Sequence, residues 1–277
     1  MARRQIRLTH PFAKIHRTHS MRPGSLVLLS LLLAAPLSAH DFWIEPSTFR
    51  PAAGQSVGVA LRVGENFLGD PVPRSAQLLE SFTVRDAAGE RDVLGLERRD
   101  PAGILRIDKP GLAVIGYRSK GYPLELPAAK FEEFLEAEGL ERISALRASR
   151  GESQKPDREK FYRYAKSILA SGGKASGFDR PLGYRFELVP ETDPMANVPL
   201  RVRVLLDGKP RAGALVKAIH RDDPAARLAA RTDAAGRVTL NLPKAGVWLL
   251  KTVEMTPAPA GSGFDWEGLW ASLTFER

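Results

Sequence analysis

Cysteine is absent from all 277 residues. This excludes disulfides, thiolate metal sites, thiol catalysis and a lipoprotein anchor, and it suits an oxidising compartment. Histidine is scarce, with five residues at positions 10, 16, 19, 40 and 220. Local catalytic signatures are also missing: there is no HExxH, GxSxG, P-loop or dinucleotide fingerprint. A Ser-His-Asp triad would have to draw on His40 or His220 without local support, so the sequence leans away from an enzyme. Beyond the apolar run Leu26 to Leu33, no stretch reaches the roughly 18 apolar residues that span a membrane. No stable membrane insertion is expected once that run is removed.

Residues 1–39 read as a secretory signal peptide. They carry Arg3, Arg4, Arg7, Lys14, Arg17 and Arg22 and no acid, then the apolar run, then Leu37-Ser38-Ala39. Pro36 disfavours cleavage after Ala35 or Ser38, which leaves the bond after Ala39. Met21-Arg22-Pro23 and the apolar run would form a compact signal by themselves, so Met21 is an alternative start. The leader also accounts for most of the basicity. The chain has 41 basic and 32 acidic residues, net +9; without the six leader cations it has 35 against 32, net +3. A nucleic-acid partner loses its main support. A soluble periplasmic or secreted product is expected.

Cleavage after Ala39 makes His40 the first residue. An amino-terminal histidine is a bidentate chelator, because its amine nitrogen and ring Nδ1 can close on one ion. Only His40 and His220 then remain, and together they would supply three nitrogens resembling a histidine brace. Nitrogen donors suit copper, nickel, cobalt or zinc. Asp41, Glu45, Asp222 and Asp223 are the carboxylates nearest in sequence to these two histidines. In the bland alternative the histidines serve separate parts of the fold. His220 shares strand parity with Val216 and Ala218, which would make it a cap on a sheet core.

The remaining 238 residues are patterned mainly as β. Residues 55–63, 78–84, 103–107, 112–117 and 184–189 read as short strands between Gly, Pro and Asp signals. The segment 127–171 reads as a helical insertion. Phe131, Phe134 and Leu135 share one helical face, Gly139 is a stop, and 143–150 is a second short helix. Asp157 to Ala170 has the clearest helical spacing, through Phe161, Tyr164, Ala165, Ile168 and Leu169. A different rhythm follows from 196, with strands at 200–206, 214–220, 238–242, 246–253 and 271–275. The expected fold is therefore antiparallel β-sandwich domains: 40–195 with the insertion 127–171, and 196–277 as an Ig-like or transthyretin-like sandwich.

The start His40-Asp41-Phe42-Trp43-Ile44-Glu45-Pro46-Ser47 resembles a family of uncharacterised bacterial secreted proteins. Residues 134–140, 158–167, 182–190 and 270–275 resemble that family as well. Its members are often labelled periplasmic components of nickel or cobalt transport, NikM-like. The resemblance implies transition-metal binding or delivery beside membrane transporter components. In the second part, Asp207-Gly208-Lys209-Pro210, Gly213-Ala214, Thr232-Asp233, Gly236 and Gly246 are similar to transthyretin-like and carboxypeptidase-regulatory-like modules. Two other readings stay open. One is a carbohydrate- or peptide-binding module that uses Trp266 and Trp270. The other is a copper monooxygenase built on a histidine brace.

Overall fold

The computed structural model describes residues 40–277 apart from 173–175 and 179. The leader, its cleavage bond and the alternative start at Met21 lie outside the described residues. Among those described, no helix is long and apolar enough to cross a membrane.

The first part contains β1 (Asp41–Pro46), β2 (Ser56–Glu65), β3 (Leu68–Pro71), β4 (Leu79–Asp86), β5 (Gly89–Asp92), β6 (Gly103–Arg106), β7 (Gly111–Ser119) and β8 (Tyr122–Leu126). Helices α1 (Ala128–Ala137) and α2 (Glu141–Ser149) follow, then β9 (Asp157–Ser171) and β10 (Phe186–Pro190). The second part contains β11 (Leu200–Leu206), β12 (Lys209–Pro210), β13 (Leu215–His220), β14 (Asp223–Arg231), β15 (Arg237–Leu240), β16 (Val247–Pro257) and β17 (Trp266–Glu276).

These strands form three sheets. A nine-stranded central sheet runs β14-β13-β16-β17-β9-β7-β4-β5, with β8 also on β9. All its pairings are antiparallel except β17 with β9. A four-stranded sheet of β1, β2, β3 and β6 packs on one face, and a four-stranded sheet of β10, β11, β12 and β15 on the other. Strand parity separates the two cores. Ala113, Ile115, Ala165 and Leu169 meet Phe42 and Ile44 of β1. Leu112, Val114, Ile168 and Leu250 meet Phe186, Leu188 and Val202 of the third sheet. The central sheet thus runs through both sequence parts, since β17 and β16 continue directly from β9 and β7.

The helical insertion is present but shorter than the spacing predicts. Helix α1 buries Phe131, Phe134 and Leu135, as expected, and Gly139 ends it at φ 69°. Residues 157–171, expected to be helical, are instead the strand β9. The reason is burial on both faces. Ala165 and Leu169 point to one core while Tyr164 and Ile168 point to the other. Two apolar faces superimposed on one strand reproduce the i, i+3, i+4, i+7 spacing of a helix. Phe161, Tyr162 and Tyr164 supply the aromatic character that favours a strand.

The β2–β3 hairpin carries a packing constraint that a substitution can test. Gly64 and Gly69 face each other across the pair. A Cβ on Gly69 would lie 2.5 Å from the Trp43 ring and 2.7 Å from the Val63 carbonyl. Gly69→Ala is expected to lower stability by about 1–3 kcal/mol through overpacking. Denaturant melts with an unchanged midpoint would show that the hairpin relaxes freely.

Candidate functional site

His40 stands at the head of β1. The β1–β2 register places Asp41 opposite Gly64. The next position along that register brings His40 to Glu65. The His40 Nε2 lies 3.6 Å from Glu65 Oε1, with the two side chains 31% and 64% exposed. The pair is therefore open to solvent on a well-anchored strand end.

The anchor is Asp41. It is buried and bonded to the Lys251 ammonium, which also donates to Glu138 Oε1 at 3.0 Å. Lys217 reaches the same Glu138 oxygen at 3.1 Å. Burial alone would push the Lys251 pKa down, but Asp41 and Glu138 outweigh it and hold the ammonium above its ordinary range. Further along β1, the Thr274 hydroxyl donates to the Ile44 carbonyl at 2.7 Å. Trp43 packs edge-on to Phe67 and joins a cluster with Ile219, Val247 and Leu249. Helix α1, β1 and β16 thus meet directly behind His40.

His220 has a different setting. Its ring is buried edge-on to Trp248, with centroids 5.0 Å apart. The Nε2–H donates to the Ala245 carbonyl at 2.9 Å, and Nδ1 is buried without a partner. Gly246 makes room for the ring, because a Cβ there would sit 2.8 Å from Nε2. His220 pairs with Trp248 across β13 and β16. Trp248 belongs to the core shared with the third sheet, whereas the neighbouring Ile219 belongs to the Trp43 cluster behind His40. The two imidazoles therefore attach to opposite faces of the central sheet. Among the described residues no three His, Asp or Glu side chains gather as a metal cluster.

The other candidate residues have their own partners. Glu45 Oε2 lies 3.6 Å from Arg62, and Asp223 pairs with Lys244. Asp222 is exposed, with Arg221 at 3.5 Å. Trp266 and Trp270 are buried beneath Phe131, Phe134 and Leu135, so they form no exposed stacking platform. Arg147 is buried over the Phe131 ring and donates to Glu132 and the Lys155 carbonyl.

The family model for a domain of unknown function, DUF4198, matches residues 37–256. The chain belongs to this family. The DUF4198 match spans His40, Glu65, both helices and His220, and it ends inside β16, before β17. No match to a curated protein was found. Among solved structures, the chain is similar to a tetra-tandem repeat in the extending region of a large adhesion protein. That likeness has 10% identity and a TM-score of 0.22, over 86% of this chain and 49% of the other. The chain spans about half the length of that structure. It is also similar to the D0-D1 domain of intimin, at 12% identity and a TM-score of 0.18, over 85% and 97% of the two chains. At these scores neither likeness carries an argument.

Glu65 is the residue that sequence reasoning missed. It lies 25 positions from His40, and only the hairpin register brings the two together.

Proposed function

We propose that this DUF4198 protein is an exported carrier of a transition-metal ion. The ion would be nickel, cobalt, copper or zinc, and the protein would act as an accessory to membrane transporter components. His40 is its first ligand. The carrying observation is the Glu65 carboxylate beside His40 Nε2. A ring that gives Nδ1 to an ion, together with its own amine, has Nε2–H left over. Metal-binding histidines commonly give that second N–H to a carboxylate, which fixes the tautomer and raises ligand basicity. The leader chemistry and the resemblance of 40–47 to NikM-like periplasmic proteins support the same reading. His220 is left out of the proposed site, because its Nε2–H is committed to Ala245 and its ring faces the other core. A histidine brace through both imidazoles is therefore not proposed.

Calorimetric titration with Ni(II) and Cu(II) tests the proposal. Protein beginning at His40 should bind at least about 100-fold more tightly than protein with one extra amino-terminal residue, which turns the amine into an amide. Glu65→Ala should weaken binding by about 10–100-fold. His220→Ala should leave affinity unchanged. Binding should fade in acid, because both nitrogens must be deprotonated to ligate. Equal affinity for the native-start and extended-start proteins would overturn the chelate.

A further inference from the structure

The outer face of the third sheet carries a cluster of arginines, unrelated to the histidines. Strand β11 points Leu200, Val202 and Val204 into the core. Alternation then turns Arg201 and Arg203 outward. Arg203 is registered directly opposite Arg237 of β15. Like charges directly opposed on one sheet face are destabilising. Both guanidiniums, together with that of Arg201, converge on one carboxylate, Glu191. Arg237 Nε lies 2.8 Å from Glu191 Oε2, Arg201 Nε lies 3.3 Å from the same oxygen, and Arg203 bonds the other oxygen. Three positive charges thus surround one negative charge. The three residues line an open groove of about 690 Å³, together with Glu191, Pro181 and Leu205. That volume is in the range of small-molecule sites.

Two features show that Glu191 does not satisfy this arrangement. Each guanidinium has five N–H donors, and Glu191 engages one nitrogen of each. In addition, the Arg203 Nε is buried and has no hydrogen-bond partner. Part-exposed ion pairs contribute little to stability, so holding the fold together is a weak reason for placing three arginines here. The local excess of two positive charges matches a dianion. The planar fork of arginine fits tetrahedral oxyanions through paired N–H donors. The patch is too small for a polyanion track, and the chain from His40 onward is close to charge balance, with 35 basic and 32 acidic residues.

We propose that Arg201, Arg203 and Arg237 form a binding site for a small phosphate-bearing ligand on the outer face of the third sheet, with Glu191 holding the guanidiniums in place until the ligand arrives. This site is independent of the metal reading. Calorimetry of the full chain from His40 onward with inorganic phosphate, in chloride buffer, tests it. Saturable binding is expected with a Kd below about 1 mM. Arg203→Gln should weaken it at least about tenfold, and Arg201→Gln, at the more exposed member, severalfold with the melting temperature unchanged. Glu191→Gln should tighten it, because a competing carboxylate is removed. Succinate is expected to bind more weakly than phosphate. Absence of phosphate binding at about 10 mM, or equal binding by wild type and both arginine variants, would overturn the site. Tighter binding of succinate would overturn the assignment to phosphate.

Discussion

Raising the pH from 5 to 8 should destabilise the folded protein by several kcal/mol, and Asp157→Asn with Glu159→Gln should remove most of that loss. The two carboxyls sit two residues apart on β9, on the face covered by the helices. Both are buried, and neither has a hydrogen-bond partner. Burial pushes Asp157 up to about 7, with Arg147 pulling it back and Asp265 and Glu125 adding to the rise. Burial pushes Glu159 up to about 8, and Asp157 adds to it. Gly268 gives the Glu159 head its space, since a Cβ there would lie 2.7 Å from Oε2.

The unfolded chain releases these protons near the ordinary values of 3.8 and 4.5. The folded protein keeps them until pH 7 or 8. Between those limits the native state holds more protons, so stability falls as pH rises. A tenfold difference in acidity between the folded and unfolded states is worth about 1.4 kcal/mol, and each carboxyl differs by roughly a thousandfold or more. At pH 5 the amide variants should be nearly neutral, because they replace uncharged carboxyls. At pH 8 they should be more stable than wild type. Chemical denaturation at pH 5, 6.5 and 8 measures this directly. A flat wild-type profile, or variants that track it in parallel, would show that the carboxyls are hydrated or paired in solution.

Lys251→Met should cost about 3–5 kcal/mol, because it leaves Asp41 and Glu138 as buried carboxylates without their cation. Adding Asp41→Asn and Glu138→Gln should recover most of that loss, since the unpaired charge goes with them. The two results together separate a charge effect from a packing effect. A Lys251→Met protein within about 1 kcal/mol of wild type would mean that Lys217, already 3.1 Å from Glu138, replaces it.

Much of the fold was legible because its signals are local. The alternation of Leu200 to Leu206, the face formed by Phe131, Phe134 and Leu135, and the stop at Gly139 each depend on a few neighbouring residues. The parity of His220 with Val216 and Ala218 agrees with the burial of its ring beside Trp248. What failed was non-local. The stretch Phe161 to Leu169 looks like a helical stripe, and only the sheets on both sides of β9 decide otherwise. The pairing of Trp266 to Thr274 with Glu159 to Ser167 likewise joins distant segments, and no local pattern announces it. His40 as a candidate was readable from the leader. Glu65 was not, because its proximity depends on a hairpin register.

The parallel pairing of β17 with β9 also sets an order of events. Residues 266–276 fill the slot between β16 and β9, in the middle of the largest sheet. Until they arrive, β9 has an open edge, and the central sheet is split between β16 and β9. Closing that slot requires contacts across about 107 residues of chain, a slow step for any polypeptide.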